Sequence, residues 1–266
     1  MHGPARHLRE RIASGKPVIG QFLVEFSGQA VVHVMAQAGF DFVMIDCEHG
    51  NYSLRDVETM VEAGWNAGIC TLVRTADTGC SLITRVLDAG AAGIVVPGID
   101  SLEQVQAAVL ASKYKPIGRR GVHLFRGHTR HRAVEPQRFM EQANRDLLTI
   151  IQIELAKAAG LAQEIAATDG VDGLYVGPGD LSVDLGVAGQ WDAPAVTDVI
   201  ERVVAACLKH RKIVGCHADD IKAMPKLGHM GIRMFGFFCD VGMYATAAGE
   251  SVKRFREAMG LEIIQG

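Results

Sequence analysis

The chain predicts an α/β fold, a single (β/α)8 TIM barrel occupying residues 1–266, and three observations predict it. Short apolar runs alternate with stretches of helical periodicity eight times over about 250 residues, the arithmetic of a closed parallel barrel. The runs are apolar throughout instead of alternating with polar residues, as strands buried on both faces are. Polar and charged residues collect just after the runs, where the strand ends of such a barrel share one rim.

The elements follow in order. Residues 18–24 read as the first strand and residues 30–38 as its helix, ended by Gly39, which suits the left-handed turn that closes a helix. Residues 42–45 form the second strand and, after a polar loop, residues 54–65 the second helix. Residues 69–73 and 81–87 make the third pair, ending near Gly90. Residues 93–96, stopped by Pro97-Gly98, and residues 102–112 make the fourth. The fifth and sixth strands are the runs that end at Glu154 and before Gly177, with helices over residues 161–166 and 196–209. Residues 213–216 and 218–227 form the seventh pair. Residues 232–238 are the last strand, followed by an amphipathic helix over residues 245–259 that packs on this barrel or on a neighbour's.

One connection is long. Residues 114–133, between the fourth and fifth strands, carry Lys115, Arg119, Arg120, Arg126, Arg130 and Arg132 together with His123, His128 and His131. Loops of this length are usually functional, and this one suits a mobile basic segment gripping an acidic substrate better than a three-histidine metal site.

Composition sets bounds. The 266 residues are 48% hydrophobic and 21% charged, enough for one large core, and a net charge of −3 gives no global pull toward nucleic acid or an anionic membrane. The basic N-terminus lacks the apolar core of a signal peptide, and no later segment has the length of a membrane span, so a cytoplasmic protein is expected. The cysteines are scattered and form no CxxC pair, signalling neither disulfides nor a thiolate zinc site. Only Cys47 lies in a polar cluster.

The strand ends carry the chemistry. Glu154 ends the run Ile150-Ile151-Gln152-Ile153, and Asp180 follows Val176-Gly177-Pro178-Gly179, so neighbouring parallel strands bring both carboxylates to one edge. Two acids at one rim suit a hard divalent cation such as magnesium, which leaves its other positions to water and substrate. Gly177, Pro178 and Gly179 let a ligand approach the backbone, and a helix starting near Asp180 offers free N–H groups to a carboxylate. Alternatively, Glu154 is solvated and Asp180 only caps that helix. His49 is the natural general base, with Asp46 or Glu48 fixing its tautomer, unless it merely caps the next helix. Arg74 either stabilises oxyanion character on a carbonyl or pairs structurally with Asp46 or Glu48. Asp88, late on the third helix, reads as solvated on an isolated barrel. Glu25, His217 and Asp240 read as rim polar groups without chemistry.

Together, Asp46-Cys47-Glu48-His49-Gly50, Leu72-Val73-Arg74, Gly118-Arg119-Arg120-Gly121, Gln152-Ile153-Glu154 and Gly177-Pro178-Gly179-Asp180-Leu181-Ser182 closely resemble the HpcH/HpaI family of class II pyruvate aldolases. The resemblance is to the 4-hydroxy-2-oxoheptanedioate and 2-dehydro-3-deoxyglucarate aldolase type and runs over about residues 17–259. It implies reversible cleavage of a 4-hydroxy-2-oxo acid to pyruvate and an aldehyde through a metal-stabilised enolate, with Glu154 and Asp180 as ligands of Mg, Mn or Co. By the same resemblance Arg74 supports the enolate oxygen, His49 transfers protons, Asp46 orients His49, and Asp88 is delivered to a neighbouring subunit's site. Gln152, Gly177 and Pro178 fall in the substrate pocket, with the N–H groups of Gly179 and Asp180 on the pyruvyl carboxylate. Phe22, where the family often has Trp, and Arg120 are placed with the substrate-binding residues. The implied partners are a small 2-oxo acid, an aldehyde, and copies of the chain in a hexamer, a trimer of dimers that exchange C-terminal helices. The His- and Arg-rich residues 122–132 and the eighth strand depart from the family pattern, which bears on the aldehyde and not on the metal ligands.

No lysine falls at a strand end in this cluster, against a Schiff-base route. The rival readings are an oxaloacetate decarboxylase or acyl-CoA ester lyase on the same site, and a non-catalytic 2-oxo acid binding protein. A nucleic-acid binder is disfavoured by the charge balance and by the lack of aromatics among the basic residues.

Overall fold

The apolar runs pair in sequence order. In the computed structural model, which describes residues 3–77 and 79–262, β1 (Val18–Leu23), β2 (Phe42–Asp46), β3 (Cys70–Arg74), β4 (Gly93–Val96), β5 (Leu148–Ile153), β6 (Gly173–Val176), β7 (Ile213–Ala218) and β8 (Met234–Cys239) form a closed barrel. Each strand is parallel to the next, and β8 pairs back to β1. Around it run α1 (Gly3–Ala13), α2 (Gln29–Ala38), α3 (Leu54–Ala67), α4 (Cys80–Ala89), α5 (Leu102–Ser112), α6 (Pro136–Asp146), α7 (Ala156–Gly160), α8 (Ala162–Ala167), α9 (Pro178–Asp184), α10 (Pro194–His210), α11 (Met224–Met230) and α12 (Asp240–Ala258). None of these helices is long and apolar enough to cross a membrane.

Side chains alternate across a strand, so each run feeds two cores. Val43, Ile45, Val73, Ile94, Ile151 and Leu174 pack outward against the helices. Phe42, Met44, Leu72, Val95, Ile150 and Tyr175 fill the barrel. The inward series then turns polar toward the C-terminal rim: Asp46 is two residues beyond Met44, Arg74 two beyond Leu72, and Gln152 two beyond Ile150. Period two therefore aims these groups at the mouth. Glycines make room for the large inward residues; a Cβ on Gly20 would sit among the Phe42 ring atoms, and one on Gly215 would lie 2.5 Å from the Tyr175 ring.

The other end of the barrel is shut by α1, which was not expected from its mostly polar sequence. Its Ala5 and Leu8 enter the inner core. Arg9 donates to the carbonyls of Asp146 and Leu147, both at 2.8 Å, and pairs with Asp172 at 2.7 Å. The buried Lys113 joins Asp172 from the other side, also at 2.7 Å.

Other elements also depart from the sequence reading. Helix α6 forms within residues left unassigned: Pro136 opens it, and the Glu135 carboxylate caps it by accepting from the N–H groups of Gln137 and Arg138. Helix α11 starts at Met224 instead of residue 218, because Ala218 still pairs with Phe237 in the barrel. Helix α12 starts at Asp240 instead of residue 245. The buried Asp240 carboxylate accepts from the N–H groups of Val24, Glu25 and Phe26, fixing the loop after β1.

Among the described residues, none of the long basic connection lines the cavity at the strand ends, where a segment gripping the substrate would be expected. The connection folds back on the outer helices through a 3-10 turn at Gly127–Thr129, with Arg126 paired to Glu58 at 2.6 Å. Arg130 donates to Asn66 at 3.1 Å and lies over the Trp65 ring.

Candidate active site

The C-terminal rim opens into a cavity of about 320 Å³. Phe22 of β1 and Val24 just after it enter the cavity, as do Asp46 of β2 and His49 after it, Arg74 of β3, Gln152 of β5, Tyr175 of β6 with Gly177, Pro178, Gly179 and Asp180 after it, and His217 of β7 with Asp219 after it. A second cleft, about 570 Å³ around Trp65 and Arg126, lies on the outer helix layer away from the strand ends. Ligands of such barrels are held at the strand C-termini, which makes the rim cavity the candidate site.

One side of the cavity is cationic. Asp46 and Arg74 are register partners on adjacent strands. The guanidinium grips the carboxylate at two points, Nε to Oδ1 at 2.9 Å and Nη2 to Oδ2 at 2.5 Å. Arg74 Nη1 also reaches Glu48 at 3.0 Å, and the Arg74 guanidinium lies 5.2 Å from the Phe22 ring centroid. Asp46 is fully buried, and its Oδ1 additionally accepts from the backbone N–H groups of Glu48 and His49 at 3.0 and 3.3 Å. Asp46 thus orients the His49 segment through the backbone, whereas the sequence reading invoked the imidazole. His49 itself is exposed at the cavity. Burial pushes the Glu48 carboxyl up to about 7; Arg74 opposes this, and the nearby Glu154 adds to it. Burial, with Asp46, also raises the Cys47 thiol to about 11, which makes it an inert apolar group.

The facing side is acidic. Glu154 is buried, with Oε1 accepting from the Gly98 N–H at 2.6 Å and Oε2 in contact with the Gln152 amide. A Cβ on Gly177 would come within 3.2 Å of that amide and 3.3 Å of Glu154 Oε2, so the glycine keeps the space beside the carboxylate free. Asp180, in the first turn of α9, is exposed and lines the rim cavity, which Glu154 adjoins through Gln152 and Gly177. Among the described residues no group of three or more His, Cys, Asp or Glu is arranged to hold an ion. Two carboxylates, one buried and fixed and one open, are a donor set that fits magnesium, which commonly takes one or two protein carboxylates.

Asp88 and Arg120 are not brought to this cavity. Asp88 is only partly exposed, because Arg120, its side chain fully buried, holds it at 2.6 Å on the outer layer. Arg120 also stacks on the Tyr114 ring, and His128 contacts the Asp88 carbonyl through Nδ1 at 3.0 Å.

Sequence reasoning missed Tyr175, Trp191 and Asp219 as parts of the wall and placed His217 at the rim without a role. His217 Nε2 lies 2.8 Å from Asp219 Oδ1, and its ring contacts Phe22 edge-on at 4.9 Å and Trp191 at 5.9 Å. The signal was present in Tyr175 and His217, since period two along β6 and β7 turns both inward. Trp191 comes from an irregular loop and had none.

A family model described as HpcH/HpaI aldolase/citrate lyase matches residues 20–236. The chain belongs to this family. It is 29% identical to a pyruvate aldolase of Rhizobium etli over 96% of this chain and 99% of that one. It is 34% identical to a 2-dehydro-3,6-dideoxy-6-sulfogluconate aldolase of Pseudomonas putida, over 79% of each. The solved HpcH/HpaI aldolase of Desulfitobacterium hafniense superposes with a TM-score of 0.89 at 32% identity, covering 94% of this chain and 96% of that one. As a member of the HpcH/HpaI family with aldolase relatives along nearly its whole length, the chain is an aldolase-type lyase acting on small molecules.

Proposed function

We propose that the chain catalyses reversible, metal-dependent cleavage of a 4-hydroxy-2-oxo acid in the cytoplasm, releasing pyruvate or a close analogue and an aldehyde. The observation that carries this reading is the gathering of charge at one barrel mouth, where Arg74 locked by Asp46 and the open Asp180 line the cavity and the buried Glu154 adjoins it beside Gln152 and Gly177. Glu154 and Asp180 would hold a Mg, Mn or Co ion, which when bound polarises the keto oxygen of the 2-oxo acid. Arg74 presents a fixed cation to the negative charge that develops on that oxygen as the C3–C4 bond breaks. Asp46 holds that cation in place before the substrate arrives, so little reorganisation is needed at the moment of reaction.

His49 takes the C4 hydroxyl proton in cleavage and returns it in the reverse addition. The N–H groups of Gly179 and Asp180, in a first turn that leaves them without intrahelical partners, receive the substrate carboxylate beside Gln152. Among the described residues lining the cavity there is no lysine, which supports electrostatic stabilisation over Schiff-base chemistry. The functional unit is a homohexamer, a trimer of dimers exchanging α12, in which Asp88 serves a neighbour's site with Arg120 setting its position. Tyr244, Val252 and Phe255 on α12 support this, being 64%, 55% and 59% exposed in the single chain.

Incubation with 4-hydroxy-2-oxo acids and with oxaloacetate, each with and without EDTA, tests the reading. Expected is EDTA-sensitive pyruvate release, faster from a hydroxy acid than from oxaloacetate. Faster decarboxylation of oxaloacetate would favour the decarboxylase reading instead. Binding without turnover would make the chain a 2-oxo acid binding protein.

A further inference from the structure

The end of α4, which carries Asp88, meets the basic connection without a gap. A Cβ on Gly127 would collide with the Ala89 carbonyl, and one on Gly90 would come within 3.2 Å of the Gly127 carbonyl carbon and 3.3 Å of the His128 backbone nitrogen. The 3-10 turn that makes this contact is tied to itself: the Arg126 carbonyl accepts from the Thr129 hydroxyl at 3.0 Å and from the His131 N–H at 3.2 Å. His128, inside that turn, is thereby set against the helix end, with Nδ1 3.0 Å from the Asp88 carbonyl oxygen. This carbonyl is one of the last four of α4, which lack intrahelical partners. A carbonyl only accepts, so in the neutral ring Nδ1 carries the proton and Nε2 is left as an acceptor. Nε2 is buried and has no hydrogen-bond partner among the described residues.

A second proton on the ring meets unfavourable surroundings. Asp88 faces the imidazole from α4, Arg120 and Arg126 face it from the connection, and α6 adds the Phe139 ring, 5.4 Å away between centroids. Burial and then Arg120 disfavour the imidazolium, the Asp88 carbonyl and carboxylate favour it, and Arg126 opposes it again; the balance holds His128 below the ordinary value of 6.5. The Arg120 side chain has no exposure, and its Nε and Nη1 are buried without hydrogen-bond partners among the described residues. Its pairing therefore rests on Nη2 and Asp88 Oδ1, at 2.6 Å. A cationic ring would compete with Arg120 for the same carboxylate and would leave its own Nε2–H unmatched. Moving the turn off the helix end relieves both.

We infer that His128 is a positioning residue for Asp88: the neutral ring fastens the turn, and Arg120 with it, to the end of α4, and protonation unfastens them, so that acid withdraws Asp88 from the site it serves. This rests on the reading above in which Asp88 completes a neighbouring subunit's site, and it adds the device that holds the carboxylate there. The Asp88 side chain is 18% exposed, open on one side and gripped on the other.

The test is the pH dependence of kcat, from pH 5 to pH 8 at saturating substrate, for pyruvate release from 4-hydroxy-2-oxopentanoate and from oxaloacetate, with Mg, Mn and Co tried in turn. It compares the wild type, His128→Gln, Asp88→Asn and the double variant, all checked for folding by circular dichroism. Gln still donates to the Asp88 carbonyl but does not titrate. Asp88→Asn should lower kcat about tenfold or more, the worth of a hydrogen bond to a charged group. The ratio of kcat in the wild type to kcat in His128→Gln should stand near one at pH 8 and fall about threefold by pH 5. Between Asp88→Asn and the double variant the same ratio should stay flat, and His49, present in every protein, cancels from both. His128→Ala, which keeps no donor, should lose about fivefold in kcat at pH 8 with KM unchanged within twofold, a loss that Gln restores. Should Asp88→Asn not fold, Asp88→Asn joined to Arg120→Gln removes both charges of the buried pair and takes its place. A ratio that does not move with pH, or that falls equally without the Asp88 carboxylate, overturns the inference and leaves His128 a packing group. Full activity of Asp88→Asn overturns it too while the aldolase reading stands, whereas no metal-dependent turnover of either substrate by the wild type sinks both together.

Discussion

Replacing Arg74 by Met would strand the Asp46 carboxylate. In the folded chain Asp46 has no solvent exposure and the Arg74 side chain only 10%, and the pair is joined at 2.9 and 2.5 Å. Removing one partner of a buried pair typically costs about 3–5 kcal/mol, because the remaining charge is left without compensation. Asp46 retains two backbone donors, from Glu48 and His49, which puts the expected loss at the low end, about 3 kcal/mol. For a chain of this size that corresponds to a fall in Tm of about 6–12 °C. The double variant Arg74→Met with Asp46→Asn removes both charges and should recover about 2 kcal/mol of the loss, a coupling in the range seen for residues in contact. Thermal and urea unfolding of the wild type, the two single variants and the double variant provide the cycle. A single-variant loss under about 1 kcal/mol, or purely additive effects, would refute the claim that the catalytic cation is held by a dry, preformed pair.

Further outcomes follow from individual side chains. His49→Ala should retain pyruvate binding but lose about 10²–10⁴-fold in cleavage rate, measured by steady-state kinetics beside a pyruvate-binding isotherm. His128 is held below its ordinary value of 6.5, first by burial and then by Arg120. Its stabilising contribution is therefore complete above about pH 6.5 and is lost as the pH falls through the lower folded value. The wild type should lose more Tm between pH 7.5 and pH 5 than His128→Gln does; parallel curves would contradict this. Thiol labelling of the native chain at pH 8 should modify the exposed Cys80 first, with Cys47 unreactive because its thiol titrates near 11. Peptide mapping that finds Cys47 labelled as fast as Cys80 would contradict the burial assigned to it.

The barrel was legible because parallel strands buried on both faces read as unbroken apolar runs, and β4 and α5 have the bounds the sequence predicts. The acids, Arg74 and His49 were legible because they stand where those runs stop. What was lost had weaker local signals. Helix α1 shows its purpose only through contacts made across the barrel, such as Arg9 with Asp172. Asp88 looked like a surface acid because nothing in its own helix announces that Arg120, 32 residues later, folds back onto it. His217 read as a rim residue, since Phe22 and Trp191, whose rings pack against it, come from distant segments, and only Asp219 is near it in the chain.

The most direct test of the account is metal-dependent deuterium exchange at the pyruvate methyl, followed by NMR in the wild type, Glu154→Gln and Asp180→Asn. The account predicts exchange that EDTA abolishes and Mg, Mn or Co restores in the wild type, and none above background in either variant at matched folding. Exchange that persists in EDTA, or in both variants, would contradict it.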